Sequence, residues 1–458
     1  MNVRIPVAVA ALLMLLLAVR PATAHGVWAH VHVTGWAIQS LPDGELKDFL
    51  TSDPEVFNAA LFGAVFTDSG YSPIGEGEDT AREYSEYAHW EPFVTKYIDW
   101  LRTNDPPPWE DRESRKRVAL LMGIASHGMQ DEVFDSLFLI QTKLHDGHGQ
   151  ESADPAMDGF LKLDGKMEFF PTPYVPMDLL LELFAGLKHD VTADVIQDAV
   201  GLITGAYIND ELGLMIAQAL GEQYEPELPW ARQHYMDPEV PGSLASEIPV
   251  TAGYIQAIWS RLHGAFDHDA PVIGTLPEDG GCLWGVDAQT PDPWVTLVYG
   301  IGVRKDSPDP TWTGPDGGQV AFKMKGTRWG AHWTRLNRLM PAASLDGGGS
   351  YKVELGPGLD LIDGTVSNGT FSLSFGGLCA EVQAEYVEGE QTEDAAVNAV
   401  VDAAVVGPDQ SSAQETGVMP EAGGSGCVVG ASGGSGWTVV LLALMIIAVV
   451  RWKTGWDG

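Results

Sequence analysis

Cysteine is scarce in this sequence, with three residues in a chain of 458. Structural zinc sites often use several thiolates as ligands, and three scattered cysteines cannot supply such a site. Any metal must therefore be held by histidine, aspartate or glutamate. Cys282 and Cys379 bracket one segment and could form a disulfide in an exported protein, whereas Cys427 lies near the C-terminus.

Positive charge is scarce as well, because 26 Lys and Arg stand against 63 Asp and Glu and give a formal net charge of -37. Such a chain repels nucleic acid and anionic membrane surfaces at long range, so a nuclease is disfavoured. Solubility explains most of the acidic excess. Metal binding is therefore sought in local clusters of side chains.

Apolar runs mark both ends of the chain. Residues 1–24 combine a basic residue, an apolar run and a small-residue cleavage site, the pattern of a secretory signal that would leave His25 as the first mature residue. Residues 437–453 combine a short apolar run with two basic residues, which predicts a transmembrane or sorting segment in contact with a membrane. Together with the Gly-Cys pair at Cys427, this end resembles the MYXO-CTERM sorting tail of exported proteins. We expect a protein exported to the cell surface or outer membrane, or released from it.

Between the two ends, the spacing of apolar residues changes from a helical to a strand pattern, and a polar segment follows. Hydrophobic residues make up 45% of the chain, which is ample for real cores. Residues 25–266 place apolar residues at three- and four-residue spacing, which predicts a multi-helix bundle. Residues 267–383 show short alternating runs between turns, which predicts a small β-sandwich resembling bacterial Ig-like domains. Residues 384–436 are acidic and rich in Gly and Ser, typical of a flexible linker. The predicted fold class is mainly α.

One predicted helix, Arg117 to Gln141, carries ionisable residues inside its apolar pattern. His127, Asp131 and Asp135 are four residues apart, so on a helix they lie along one face. Burying such groups requires ion pairs, hydrogen bonds or a metal. A single histidine here would more often be a hydrogen-bonded core residue, but three such groups on one face favour a metal site.

Four motifs then occur in a familiar order: AHVHVTGWAI, FGAVFTDSGY, YAHWEPFVTKYI and GIASHGMQDEVFDSL. This order resembles the zinc-dependent phospholipase C superfamily and, within it, the catalytic domain of glycosylphosphatidylinositol-specific phospholipase D. The resemblance covers roughly residues 25–170, and the later helices to residue 266 only loosely. It implies a zinc phospholipase C-like bundle that binds two or three zinc ions.

The resemblance also implies ligands. Four residues match the paired zinc site of that family: Asp68, His89, His127 and Asp131. In this comparison Asp131 is the bridging carboxylate, and Asp68 is both a ligand and the candidate catalytic base. His30 matches the histidine of the neighbouring zinc, whose other ligands, the mature N-terminal amine and carbonyl, would belong to His25.

A third zinc site is expected from Asp135, but the sequence departs from the family after it. The family continues with His-x-x-x-Asp or His-x-x-x-Glu, and direct alignment places Gln150 at the histidine, with Asp154 four residues later. His148 or His145 could replace the histidine through loop movement. We keep Asp135, His148 and Asp154 as the candidate ligands of this site.

The sequence thus predicts an exported phospholipase C/D-type hydrolase that cleaves phospholipid or glycosylphosphatidylinositol-type phosphodiesters with metal-activated water. One alternative is a zinc nuclease of the same superfamily, which the acidic chain disfavours. The other is a catalytically impaired surface protein that binds through its Ig-like domain. His32 is expected to be a neighbour of the site and not a ligand. The head group, the side of cleavage and the oligomeric state stay open.

Overall fold

The structure, a computed structural model, describes residues 26–71, 78–205, 210–283, 294–326, 332–343, 345 and 349–378. The predicted signal peptide, His25, Cys379, the linker and the C-terminal segment lie outside these residues. Within the described ranges, no helix combines the length and apolar character needed to cross a membrane. The described residues all belong to one compact unit.

Helices fill the first part of the described chain. They are α1 (Val27–Ser40), α2 (Glu45–Thr51), α3 (Pro54–Phe66), a 3-10 helix (Thr67–Tyr71), α4 (Glu78–Ala88), α5 (Glu91–Asn104), α6 (Arg112–Ser136), α7 (Phe138–Asp146), α8 (Gln150–Leu163), α9 (Met177–Gly186), α10 (Ala193–Ile203), α11 (Asp210–Tyr224), α12 (Pro229–His234) and α13 (Leu244–Leu262). Apolar residues from most of these helices form a shared core.

Strands follow the last of these helices. They are β1 (Val272–Leu276), β2 (Cys282–Leu283), β3 (Val295–Arg304), β4 (Thr311–Thr313), β5 (Phe322–Gly326), β6 (Trp333–Pro341), β7 (Ser350–Leu355), β8 (Leu359–Asp360), β9 (Val366–Ser367) and β10 (Phe371–Leu378). One sheet has the order β1-β3-β6-β5 and the other β2-β10-β7-β4, while β8 and β9 form a short pair. Side chains from both larger sheets enclose one core. The prediction of a mainly α protein with a small β-sandwich is confirmed.

Helix α6 is buried along most of its length, and its crossing with α3 determines what lies beside it. The Asp111 side chain caps its first turn by accepting a hydrogen bond from the Ser114 amide at 3.0 Å. A Cβ atom at Gly123 would lie 1.9 Å from the Ala60 carbonyl oxygen, and one at Gly63 would lie 2.4 Å from the Leu120 oxygen. Because both positions are glycine, the two backbones can approach this closely, and the end of α3 reaches the middle of α6.

Strands β3 and β6 are buried on both faces. Leu297 and Leu339 belong to the core between the sheets, whereas Val298 and Leu336 belong to the core of the helical bundle. Side chains alternate across a strand, so one face of this sheet closes the sandwich and the other packs on the helices. The sandwich is therefore attached to the bundle through an apolar interface.

Cys282 of β2 is disulfide-bonded, and its partner lies outside the described residues. Strand β2 runs parallel to β10, with Leu283 in register with Leu378, the residue before Cys379. The pairing of Cys282 with Cys379 stays a prediction that this register supports.

Candidate metal centre

Ionisable side chains from three helical elements and one turn meet inside the bundle. They are His30 of α1, Asp68 of the 3-10 helix, His89 in the turn after α4, and His127 and Asp131 of α6. Each of these residues is at most 4% exposed. The structure thus brings together residues that the sequence analysis named as ligands from distant segments of the chain.

Asp131 lies between the three imidazoles. Its Oδ1 is 3.2 Å from Nε2 of His30, and its Oδ2 is 3.3 Å from Nε2 of both His89 and His127. The rings of His30 and His127 are stacked, with centroids 3.6 Å apart. Because the two carboxylate oxygens face different histidines, the geometry is that of a group able to serve two adjacent cations.

Asp68 completes the cluster on its other side. Its Oδ1 lies 3.4 Å from Nε2 of His89 and 3.6 Å from Nε2 of His127. Neither of its carboxylate oxygens accepts a hydrogen bond within the described residues, although both are buried. A buried carboxylate in this state is costly unless a cation compensates its charge.

Each histidine is oriented through its other ring nitrogen. Nδ1 lies 2.6 Å from the Ser85 carbonyl oxygen in His89 and 2.6 Å from the Ala64 carbonyl oxygen in His127. In His30, Nδ1 lies 3.0 Å from Oε1 of Gln130. Carbonyl oxygens only accept hydrogen bonds, so Nδ1 carries the proton and the Nε2 lone pair points into the cluster, as in histidines that bind metals.

Gln130 was missed by the sequence analysis. Its side chain also donates from Nε2 to Oγ1 of Thr34 at 2.9 Å, which fixes the amide with its oxygen toward His30. The available signal was a polar residue inside the apolar pattern of α6. That signal does not reveal which histidine the amide orients, because the answer depends on how α1 packs against α6.

The cluster attracts positive charge. The Nε2 atoms of His89 and His127 are only 3.0 Å apart, and two lone pairs at this separation repel unless a proton or a metal lies between them. Burial lowers the pKa of His89, but its close contact with Asp68 and the charge of Asp131 outweigh that effect and raise the pKa to about 9.

The described residues contain two overlapping groups whose ligand atoms lie within 4.8 Å of one another: His30, Asp68 and His127, and His89, His127 and Asp131. Imidazole nitrogen and carboxylate oxygen are ligands that zinc accepts in catalytic sites. The donor set, its burial and the buried Asp68 carboxylate, which accepts no hydrogen bond from the described residues, all fit a divalent metal.

The candidate ligands of the third site are arranged less closely. Asp154 of α8 is buried, and neither of its carboxylate oxygens has a hydrogen-bond partner among the described residues. Burial raises its pKa well above the ordinary value, and the charges of Asp135, Asp131 and Asp68 raise it further. Neither of the two groups found in the described ranges includes Asp135, His148 or Asp154, so a third site stays a prediction.

The possible substitute His145 stacks on Trp230, with ring centroids 4.7 Å apart. His148 precedes α8 in a half-buried loop, and Gln150 begins that helix. Asp158, on the same helix, accepts a hydrogen bond from the Ala29 amide at 2.8 Å, so it stabilises the first turn of α1. Helix α8 therefore turns one carboxylate toward the cluster and uses another to hold the helix that carries His30.

His32 is a buried histidine with a different role. Its Nδ1 donates to the Trp28 carbonyl at 2.7 Å, and its Nε2 accepts from the Glu168 amide at 2.7 Å. Burial lowers its pKa to about 4 despite the hydrogen bond with Trp28, so the ring is neutral. Because both ring nitrogens are engaged, His32 joins α1 to the segment after α8.

No protein-family model matches the chain. Among curated proteins, the chain is similar to phosphatidylinositol-glycan-specific phospholipase D of Rattus norvegicus, at 27% identity over 243 residues, which is 49% of this chain and 28% of that protein. The Homo sapiens protein of the same name is 30% identical over 190 residues, 38% of this chain and 22% of that protein. The chain thus spans less than a third of the length of these relatives. This partial homology supports a related phospholipase-like family.

Among solved structures, the chain is similar to an S-layer protein, rSbsC(31-844), at 10% identity and a TM-score of 0.19, with 70% of this chain and 45% of that chain covered. The N-terminal part of SbsC gives 12% identity and a TM-score of 0.18, with 70% and 79% covered. Scores this low carry no argument about this protein.

Replacing Gln130 tests whether the second nitrogen of His30 matters for metal binding. Gln130→Leu removes the acceptor for Nδ1, and loss of such a partner typically weakens a metal site by about 10–100-fold. Gln130→Glu keeps an acceptor at the same place and should retain most of the affinity. Competition with a chelator of known zinc affinity measures both variants. Equal affinity in Gln130→Leu and the unaltered protein would contradict the orienting role.

Replacing His127 and His32 separates ligands from structural histidines. His127→Ala or Asp131→Ala should dismantle the paired groups and abolish zinc retention. His32→Gln is the matched control, because it alters an equally buried histidine on α1; it should lower the free energy of unfolding by about 1–3 kcal/mol while zinc is retained. Metal analysis and thermal unfolding of the purified proteins give both answers. Retention of all zinc in either alanine variant would exclude this centre.

Proposed function

We propose that this protein is an exported zinc-dependent phosphodiesterase that hydrolyses phospholipid or glycosylphosphatidylinositol-type phosphodiesters. The observation that carries the proposal is the convergence of three imidazole Nε2 atoms on two buried carboxylates. The partial homology to phosphatidylinositol-glycan-specific phospholipase D supports the same chemical class.

His30, His89 and His127 would hold zinc through Nε2, with the Asp131 carboxylate between them. When bound, zinc lowers the pKa of water toward about 7 and stabilises negative charge that develops on a phosphodiester. Three carbonyl oxygens fix the imidazoles in the tautomer that ligation requires. The ligands are therefore oriented before metal or substrate arrives.

Asp68 is the proposed catalytic base. Its carboxylate oxygens accept no hydrogen bond from the described residues, so they are available to a water molecule and to a metal. A general base must lie within hydrogen-bond reach of the proton it removes. Asp68 would orient the attacking water and accept its proton, while the leaving alkoxide departs on the opposite side of phosphorus.

Two further ligand sets belong to the proposal. The amine and carbonyl of His25 would complete the coordination of the metal next to His30 once a signal peptide is removed. Asp158 supports this placement, because it holds the first turn of α1, which begins at Val27. Asp135 and Asp154, with His148, would hold a third zinc. The negative charges of Asp135, Asp131 and Asp68 raise the pKa of Asp154, and a cation would offset this repulsion between carboxylates.

The proposed location is the outer surface of the cell or its outer membrane, with attachment through residues 437–453. The net charge of -37 disfavours nucleic acid as a substrate, because phosphate backbones require basic contacts. Lipid phosphodiesters carry far less charge per molecule and are compatible with an acidic protein. The nuclease and the impaired binding protein remain as alternatives for the substrate panel below.

Asp68→Asn tests the catalytic base. The amide keeps the size of the side chain but cannot accept the proton from water, so turnover should fall by about 10²–10⁴-fold, the usual contribution of a general base. The fold should be retained, because the Asp68 carboxylate accepts no hydrogen bond from the described residues that would hold the bundle together. Turnover numbers at saturating substrate and thermal unfolding should be measured together. Undiminished turnover would remove Asp68 from the mechanism.

Metal removal and a substrate panel test the function itself. Dialysis against a chelator should abolish hydrolysis, and added zinc should restore it, because the donor set suits zinc. The panel should contain phosphatidylcholine, phosphatidylinositol, a glycosylphosphatidylinositol-anchored protein and single-stranded DNA, each with the His127→Ala variant as blank. Hydrolysis of DNA alone would favour the nuclease. Zinc binding without hydrolysis of any member would favour the impaired binding protein.

A further inference from the structure

Arg335 belongs to β6 of the sandwich, yet its side chain is fully buried. Strands β3 and β6 pair at Val298 with Leu336 and again at Val303 with Thr334, so four residues of β3 lie opposite Arg335 alone. A bulge of this kind interrupts the ladder and redirects the neighbouring side chains. The irregularity is thus the local feature that allows a charged residue of the sheet to enter the helical bundle.

The guanidinium of Arg335 joins two segments of the metal centre. Its Nη2 donates to the carbonyl oxygen of His89 at 3.1 Å and to that of Gly128 at 2.9 Å. His89 is a candidate ligand, and Gly128 follows the candidate ligand His127. One nitrogen of the sandwich therefore ties together the backbones that carry the two imidazoles whose Nε2 atoms are 3.0 Å apart.

The same arginine is anchored on α6. Its Nε donates to Oε1 of Glu132 at 2.7 Å, and its backbone amide donates to Oε2 of the same carboxylate at 3.1 Å. Glu132 follows Asp131 in the chain. The two contacts hold both ends of the arginine to the helix that supplies His127 and Asp131, so the guanidinium has little freedom to move away from the carbonyls.

The packing around this contact leaves no room for another group. A Cβ atom at Gly128 would lie 2.1 Å from the His89 oxygen and 2.9 Å from Nη2 of Arg335. A Cβ atom at Gly302 of β3 would lie 2.6 Å from Cγ of Glu91, two residues after His89. The sandwich thus touches the His89 turn at two points, once through a side chain and once through its backbone.

The arginine is compensated as a cation. Burial alone would lower its pKa, but the charge of Glu132 and its contacts with Tyr254 and Glu91 raise it above the ordinary value. The Tyr254 hydroxyl donates to Oε2 of Glu91 at 2.5 Å and lies 3.3 Å from Nη1 of Arg335. A charged donor makes stronger hydrogen bonds to carbonyl oxygens than a neutral one, which suits a role in fixing backbone positions.

We propose that Arg335 is a positioning residue of the metal centre, and that the β-sandwich acts through it as a structural part of that centre. By holding the His89 and Gly128 carbonyls together, Arg335 keeps the Nε2 atoms of His89 and His127 at the separation that a metal requires. The inference rests on the proposed zinc site. It assigns the sandwich a structural role within the hydrolase, in contrast to the role of an independent binding module.

The test compares two buried arginines of β6 in the full chain. Arg338 is also buried, donates to the Ser136 carbonyl at the end of α6 and packs over Trp294, but it contacts no candidate ligand in the described ranges. The variants are Arg335→Met, Arg338→Met and the double variant Arg335→Met with Glu132→Gln. The double variant avoids leaving a buried carboxylate without its partner, which would otherwise threaten folding.

For each protein, the midpoint temperature of thermal unfolding is measured first. Zinc affinity is then measured by chelator competition at a temperature below the lowest of these midpoints. Arg335→Met and the double variant should bind zinc about 10–100-fold more weakly, the usual effect of losing a group that orients ligands. Arg338→Met should bind zinc as the unaltered protein does, even if its midpoint falls. The double variant should regain thermal stability relative to Arg335→Met without regaining zinc affinity.

Other outcomes overturn the inference. Undiminished zinc affinity in the folded double variant would show that Arg335 serves stability alone. An equal loss of affinity in Arg338→Met would show that the centre responds to any damage at the interface. If the unaltered protein binds no zinc, the proposed function fails and this inference fails with it, which distinguishes that case from the other two.

Discussion

Two desolvated carboxylates, Asp68 and Asp131, lie among three imidazoles in the interior of the bundle, and the surrounding structure is arranged around their charge. Removing an ion from water costs roughly several kcal/mol even after a protein relaxes, and the imidazoles of His30, His89 and His127 lie 3.2–3.3 Å from the carboxylate of Asp131. The two aspartates raise the pKa of His89, because their negative charge favours a cation at this place. A site that stabilises a proton in this way is a site where a divalent cation competes well.

The scaffold provides the orientation that ligation needs. The close crossing of α3 and α6 places the Ala64 carbonyl against His127 and leads directly into the 3-10 helix that carries Asp68. Helix α4 contributes the Ser85 carbonyl that orients His89. Because most acceptors are backbone atoms of packed helices, small movements of a helix would move a ligand, and the packing of the bundle and the geometry of the site are coupled.

The β-sandwich also contributes to this coupling between packing and site geometry, although it lies outside the helical bundle. Its sheet buries one face on the helices, and a bulge in β3 lets Arg335 reach the His89 turn and α6 together. A β-sandwich that follows a helical bundle is easily interpreted as a separate binding module, and its strands contain nothing in their sequence to contradict that interpretation. The buried arginine indicates a closer relation, since its hydrogen bonds are made to the backbone of candidate ligands and to Glu132.

The sequence by itself determined the helices, the strands and the i, i+4 pair of His127 and Asp131, because helical and strand periodicity are local properties. The resemblance to a known family added His30, Asp68 and His89, which periodicity could not select. Only the tertiary structure decided which ring nitrogens face the cluster and that His32 joins α1 to the segment after α8. It also decided that Gln130 and Arg335 support the site, since Arg335 and His89 are 246 positions apart and their contact depends on how the sheet packs against the bundle.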